Sequence, residues 1–164
     1  REAYLFCRDG QILDAHAHGV IDGVGNGWGH RGNGVFADGF PLLAISEASL
    51  MNLNDRILEN LGEPVPMNRF RPNIVLSGPA AFAEDQVNAL RTGGIELRLV
   101  KPCTRCSTTI VDQQTGVPAT DPLPTLKQFR FNRELLGVTF GQNAIIAAGV
   151  GRELCVGPVE VLTA

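Results

Sequence analysis

Apolar and polar positions follow two different rhythms along this chain, and the changes of rhythm outline its elements. Ala3–Cys7 and Gln11–Ala15 are short strand-compatible runs around Asp9-Gly10, a pair favoured in tight turns, so residues 3–15 read as a hairpin. Phe40–Ile45 is a continuous apolar run that predicts a buried strand. It leads into the clearest helix, from about Ser46 to Leu61. Leu50, Leu53, Ile57 and Leu61 recur there at helical spacing, Ser46 suits the N-cap, Glu47 suits the positive helix start and Gly62 is placed to end it. Pro64 and Pro66 force an extended link, and Asn73–Ser77 follows Pro72 as a strand.

The second half is mostly strand. Ala81–Leu90 is expected to hold a short helix, and Ile95–Val100 alternates as a half-buried strand should. Ser107–Val111 is rich in β-branched residues and predicts another strand. Asp121, Pro122 and Pro124 open a short helix carrying Leu123, Leu126 and Phe129. Asn143–Ala148 and Val156–Leu162 read as closing strands. The pattern shows no alternating strand–helix–strand rhythm and no internal repeat, so the fold class is a β-rich α+β fold. Between His16 and Gly39 the periodicity vanishes. Gly19, Gly23, Gly25, Gly27, Gly29, Gly32, Gly34 and Gly39 crowd that stretch and predict a long irregular loop. No GxGxxG there opens a helix, so it is not read as a nucleotide cradle.

Composition narrows the class. The 164 residues suit one domain, or one domain plus an appendage. A chain of that size buries roughly 70% of its unfolded surface and needs no disulfide or metal to hold a core. With 44% apolar residues and a net charge of −3, intrinsic disorder is not expected. The 14 basic and 17 acidic residues nearly balance, which speaks against a nucleic-acid polymer as partner. No apolar run approaches the roughly 20 residues of a membrane span. Four cysteines are too few for a disulfide scaffold, which points to a reducing compartment and a cytoplasmic protein. The chain starts at Arg1 without signal-peptide architecture, so it is either processed or part of something longer.

The sharpest chemical feature is Lys101-Pro102-Cys103-Thr104-Arg105-Cys106. A zinc site needs two further ligands, and neither Cys7, Cys155, His16, His18 nor His30 forms a second paired knuckle. A thioredoxin-like pair should open a helix, and Ser107-Thr108-Thr109-Ile110-Val111 are poor helix formers. A third reading makes one cysteine a soft thiolate ligand to a metal cofactor, with Lys101 and Arg105 favouring the thiolate. A fourth has both cysteines simply packing, the reading favoured for Cys103, whereas Cys106 lies between Arg105 and three hydroxyl residues. Arg69 and Arg71 flank Phe70 ahead of a strand and offer an anion-binding edge. Asp112, Glu84 and Asp85 read as turn, cap or salt-bridge groups rather than acid–base catalysts, and His16 and His18 as loop residues.

Taken in order, these motifs resemble the MOSC domain. They are Asp38-Gly39-Phe40-Pro41 and Ser46-Glu47-Ala48-Ser49-Leu50, then Arg69-Phe70-Arg71-Pro72-Asn73-Ile74 and Phe82-Ala83-Glu84-Asp85. The Lys101–Cys106 run follows, with Thr108-Thr109-Ile110-Val111-Asp112, Gly116, Pro122-Leu123, Phe140-Gly141-Gln142-Asn143 and Val156-Gly157. Within that family the chain is most similar to bacterial YcbX-type proteins and mitochondrial amidoxime-reducing components, over about Phe36 to Leu162.

The resemblance implies a MOSC-type β-barrel with a few peripheral helices over residues 36–164. Residues 1–35 then form an N-terminal hairpin and glycine-rich loop. Larger members place a barrel domain of about a hundred residues ahead of this region. The hairpin is accordingly a remnant of that barrel, a swapped element or an unrelated start. Family members usually have Trp where Val87 stands and Asp where Pro158 stands.

The resemblance also implies a molybdenum cofactor (molybdopterin) whose metal is bound by the Cys106 thiolate, the catalytic residue. Thr104 and Arg105 would line metal and pterin. Arg71 and Asn73 would hold the cofactor, Asp38 and the Gly39–Phe40 backbone would contact it, and Asn143 would lie near the metal. At family level it brings an association with pyridoxal phosphate as well. The implied chemistry is two-electron reduction of small N-hydroxylated substrates (amidoximes, hydroxylamines, hydroxylated bases), fed by an electron-donor protein of flavin or iron–sulfur reductase type. The alternative is a non-catalytic cofactor or sulfur carrier.

Overall fold

The computed structural model describes residues 3–7 and 39–163. The predicted strand Gln11–Ala15, most of the glycine-rich stretch, the three histidines and Asp38 lie outside these residues. The strands are β1 (Ala3–Cys7), β2 (Leu42–Ser46), β3 (Ile74–Ser77), β4 (Val87–Thr92), β5 (Ile95–Thr104), β6 (Phe131–Asn132), β7 (Gly137–Ala148) and β8 (Gly157–Thr163). Two helices, α1 (Glu47–Glu59) and α2 (Leu123–Arg130), accompany them.

Seven strands close on themselves. The order β2-β3-β1-β8-β4-β5-β7 returns to β2 through a β2–β7 pairing, and β6 hangs on β7 as an eighth strand. The expected barrel with peripheral helices is present. Strand β1 lies between β3 and β8, so residues 3–7 belong to this same sheet. Among the described residues every pairing is antiparallel except β2–β3, which is parallel and bridged by α1. This single crossover was invisible in the sequence pattern because the strand, helix and strand occur only once. Parallel neighbours need such a connection, and helix plus link supply it.

Strand β2 explains how the core splits into two layers. All five of its residues are buried. Leu42 and Ala44 face the barrel interior with Ile74, Leu76, Leu90, Leu97 and Val159. Leu43 and Ile45 face outward under the helices with Leu53, Ile57, Phe70, Leu126 and Phe140. A strand covered on both faces reads as a continuous apolar run, as Phe40–Ile45 does. Burial of Leu53 and Ile57 contributes roughly 1.5–3 kcal/mol each to docking α1.

Four sequence expectations are corrected. The first helix stops at Glu59, and Leu61 leaves the apolar face for solvent with 97% exposure. Leu61 takes a left-handed φ of +60°, and Gly62 donates its N–H back to the Ile57 carbonyl at 2.9 Å. That arrangement closes the helix end, which helical spacing alone does not register. The short helix expected within Ala81–Leu90 is a 3-10 turn over Ala83–Gln86, with β4 following at once, because Phe82 turns the chain at φ +62°. Ser107–Val111 is a 3-10 turn over Ser107–Ile110, in which Thr109 folds back to hydrogen-bond the Cys106 carbonyl through N–H and hydroxyl. Strand β7 begins at Gly137, six residues before the expected Asn143; its left-handed Gly141 sits mid-strand where sequence reasoning expects a break.

Helix α1 starts on a buried acid. Glu84 is 1% exposed; its carboxylate accepts from the Ser49 hydroxyl at 2.6 Å and the Ser46 N–H at 3.3 Å. Burial pushes its carboxyl above the ordinary value, against the hydrogen bonds that pull it down. The folded state therefore holds this proton at pH values where the unfolded chain has released it. Stability from Glu84 is full below about pH 4.5, its unfolded value, and falls as pH rises through the folded value. Half-buried Glu96 and Asp112, both lowered by hydrogen bonds, act with the opposite sign: their stabilisation is present above their ordinary values and lost as pH falls through the folded ones. Urea titrations from pH 4 to 8 are expected to show that Glu84→Gln gains on wild type as pH rises. A gap that stays constant with pH would remove the linkage.

Candidate cofactor site

The motif at residues 69–73 distributes its side chains in opposite directions. Phe70 is the anchor: it is 1% exposed and stacks on Phe140 with ring centroids 4.4 Å apart. Arg69 turns inward. Its Nη1 donates to the carbonyls of Thr109, Ile110 and Thr120 at 3.2, 2.8 and 3.3 Å, and Nε lies 3.9 Å from Asp112. Arg69 thus staples the segment after Cys106, and the anion edge expected from two arginines is reduced to one. Arg71 is exposed and adopts a left-handed φ of +54°. Asn73 clamps the start of β2, its Oδ1 accepting from Leu43 N–H at 2.9 Å and its own N–H donating to the Leu43 carbonyl at 3.0 Å.

The Thr104–Cys106 segment runs beside the first residues of β7. Thr104 pairs with Thr139, and Arg105 N–H donates to the Val138 carbonyl at 2.8 Å. The Arg105 guanidinium donates to the Phe70 carbonyl at 2.7 Å and to Cys103 Sγ at 3.0 Å, with its carbon 5.4 Å from the Phe70 ring centroid. Its role is to join the Cys106 segment to residues 68–71 rather than to reach outward. Cys103 is half-buried and packs against the outer core, as the packing reading expects. Cys106 is exposed and extended at φ −122°, with Sγ 3.2 Å from Thr108 Oγ1. Among the described residues, Cys103, Cys106 and Cys155 form no disulfide.

The remaining predicted positions form a second group. Phe40 is half-buried just before β2. Asn143 is 8% exposed and pairs with Leu43 of β2 and Lys101 of β5. Asn73 and Asn143 thus meet the same residue of β2 from two sides. Asn143 stands four positions along β7 from Thr139, a separation of roughly 13 Å at strand rise. The structure does not bring Asn143 level with Cys106. The two groups are joined by residues 70–73, which touch Arg105 at one end and Leu43 at the other.

Sequence reasoning missed what holds this arrangement from behind. Asp85 accepts two bonds from Arg130, at 2.6 and 3.1 Å, and one from Gln142 Nε2 at 2.7 Å. Arg130 also covers the Phe82 ring at 4.7 Å. This network ties the 83–86 turn to α2 and β7. Asp112 caps its own turn, accepting from Gln114 and Thr115. The acids are structural, as read from the sequence, but their long-range partners carry no local signal.

The donor set fits a metal that arrives with ligands of its own. Among the described residues no three His, Cys, Asp or Glu side chains converge to hold a bare ion. The exposed Cys106 thiol and the exposed Arg71 guanidinium, on segments joined by the Arg105–Phe70 hydrogen bond, are the kinds of group that a cofactor-borne soft metal with an anionic tail requires. The sequence model of the MOSC domain matches residues 31–159. The chain belongs to the MOSC family. MOSC proteins are molybdenum-cofactor proteins, in agreement with that donor set.

Curated MOSC relatives give the closer comparison. The chain is 46% identical over 97 residues to mitochondrial amidoxime-reducing component 1 of Mus musculus, covering 58% of this chain and 27% of that one. It is 42% identical over 119 residues to the Homo sapiens protein of the same name, covering 68% and 34%. It is 43% identical over 97 residues to mitochondrial amidoxime reducing component 2 of Bos taurus, covering 58% and 28%. The matched region therefore spans about a third or less of these relatives.

Proposed function

We propose that this MOSC domain holds the molybdenum cofactor with Cys106 as the protein ligand to the metal, and serves as the cofactor-bearing part of an oxidoreductase for N-hydroxylated compounds. The observation that supports it best is the exposed Cys106 thiol on an extended residue, in a segment fixed by Arg69, Arg105 and Thr109. The bound cofactor would supply two-electron redox chemistry at a sulfur-ligated metal. Arg71 would pair with its anionic group, Asn73 and Asn143 would border it beside β2, and Thr104 and Arg105 would line the metal end. Asp38 and Phe40 complete the proposed set. An amidoxime that accepts two electrons and two protons loses its N–O bond and gives an amidine and water. The electrons come from a donor protein, of flavin or iron–sulfur reductase type in this reading, in a reducing compartment such as the cytoplasm. Pyridoxal phosphate is no part of it.

Protein made in a cofactor-competent host and supplied with a reduced artificial donor is expected to convert a test amidoxime to the amidine. Bound molybdenum without turnover would instead support a cofactor or sulfur carrier. Because Arg71 is exposed and its side chain stands outside the core, Arg71→Ala is expected to lower molybdenum content severalfold while leaving the thermal midpoint within a degree or two. Unchanged molybdenum content would remove Arg71 from the site.

A further inference from the structure

The hairpin between β6 and β7 ends on a leucine that neither the core nor the proposed cofactor contacts explain. Leu136 is 81% exposed and holds a left-handed φ of +49°. Glycine or asparagine is the usual occupant of such a position, and a bulky residue there is an outlier. Outliers of this kind concentrate where the side chain has a task. Its location suggests the task. Gly137 packs against Thr104: a Cβ built there would stand 3.2 Å from Thr104 Cγ2. The antiparallel register Thr104↔Thr139 passes through the Arg105–Val138 hydrogen bond. Cys106 remains extended, so one further step sets it level with Gly137, with Leu136 beyond it. Phe131, at the base of the same hairpin and paired with Val138, is also exposed. The hairpin bordering the thiol segment thus exposes the charged Arg133 and Glu134 and the apolar Phe131 and Leu136, and of these Leu136 is the one that adjoins Gly137.

We propose that Leu136 is a specificity-determining residue: it forms an apolar wall beside Cys106, so that the site prefers N-hydroxylated compounds with an apolar group next to the N–OH over charged ones. The substrate part rests on the function proposed above, and the wall itself does not. The wall is tested on the metal-free full chain by alkylating it with two maleimides, one bearing a benzyl group and one a carboxylate. Modification of each cysteine is followed by peptide mass spectrometry. Exposed Cys155 serves as the internal reference. The benzyl-to-carboxylate rate ratio at Cys106 is expected to fall at least threefold in Leu136→Ser and in Leu136→Asn, and to stay unchanged at Cys155. Asparagine accepts the left-handed backbone, so that variant separates loss of the wall from loss of the turn. Leu61→Ser, at the other exposed left-handed leucine, is expected to leave the Cys106 ratio alone.

In molybdenum-loaded protein the same Leu136 variants should raise KM for an apolar N-hydroxylated substrate and keep kcat. An unchanged ratio at Cys106, or an equal fall in Leu61→Ser, overturns the wall. A protein that shows the ratio change but never reduces such substrates overturns the proposed function and leaves the wall standing.

Discussion

Gly141→Ala is expected to destabilise the protein by about 3 kcal/mol or more. Gly141 sits in the middle of β7 at φ +79°, and a Cβ there would meet Ile45 Cγ1 at 2.6 Å and the Ala44 carbonyl oxygen at 2.8 Å. The first of these could shift; the second is backbone of β2 and cannot move without opening the β2–β7 pairing that closes the barrel. Gly116 offers the control. It has a similar φ of +72°, but nothing lies within 4 Å of its Cβ position. Gly116→Ala should therefore cost only the conformational term, about 1 kcal/mol. Thermal or urea unfolding of the pair would settle the difference, and equal losses would mean that close approach to β2 is not what Gly141 provides.

The largest expected effect on activity belongs to Cys106. Replacing it by serine is expected to lower amidoxime turnover about a hundredfold or more, since a hard hydroxyl is a poor substitute for a thiolate on a soft metal. Cys103→Ser should retain most turnover. Cys103 stands two residues from Arg105 and accepts its Nη1, yet it faces the outer core. Loss of its sulfur removes one contact to a guanidinium that still holds the Phe70 carbonyl. Comparable losses in both variants would assign the chemistry to the pair rather than to one thiol.

Much of the fold was legible because burial writes itself into periodicity. Helix α1, the doubly covered β2 and the short α2 opened by its prolines were all readable. The misreadings share a cause. Leu61, Phe82 and Ser107–Ile110 are places where backbone turns or hydrogen bonds override the propensities of their residues. The closing β2–β7 contact depends on Gly141 meeting a strand about a hundred residues away, and no local pattern reports that. For the site, the sequence separated Cys106 from Cys103 by their flanking residues. It could not tell Arg69 from Arg71, because direction, set by the left-handed turn at Arg71, decides which one enters the core.

The central claim is that Cys106 binds the metal of the cofactor. Its most direct test is the molybdenum-to-protein ratio of wild type, Cys103→Ala and Cys106→Ala, each made in a cofactor-competent host and verified as folded. The expected result is a ratio near unity for the first two and near zero for the third. A Cys106→Ala protein that keeps both its molybdenum and its activity would contradict the assignment.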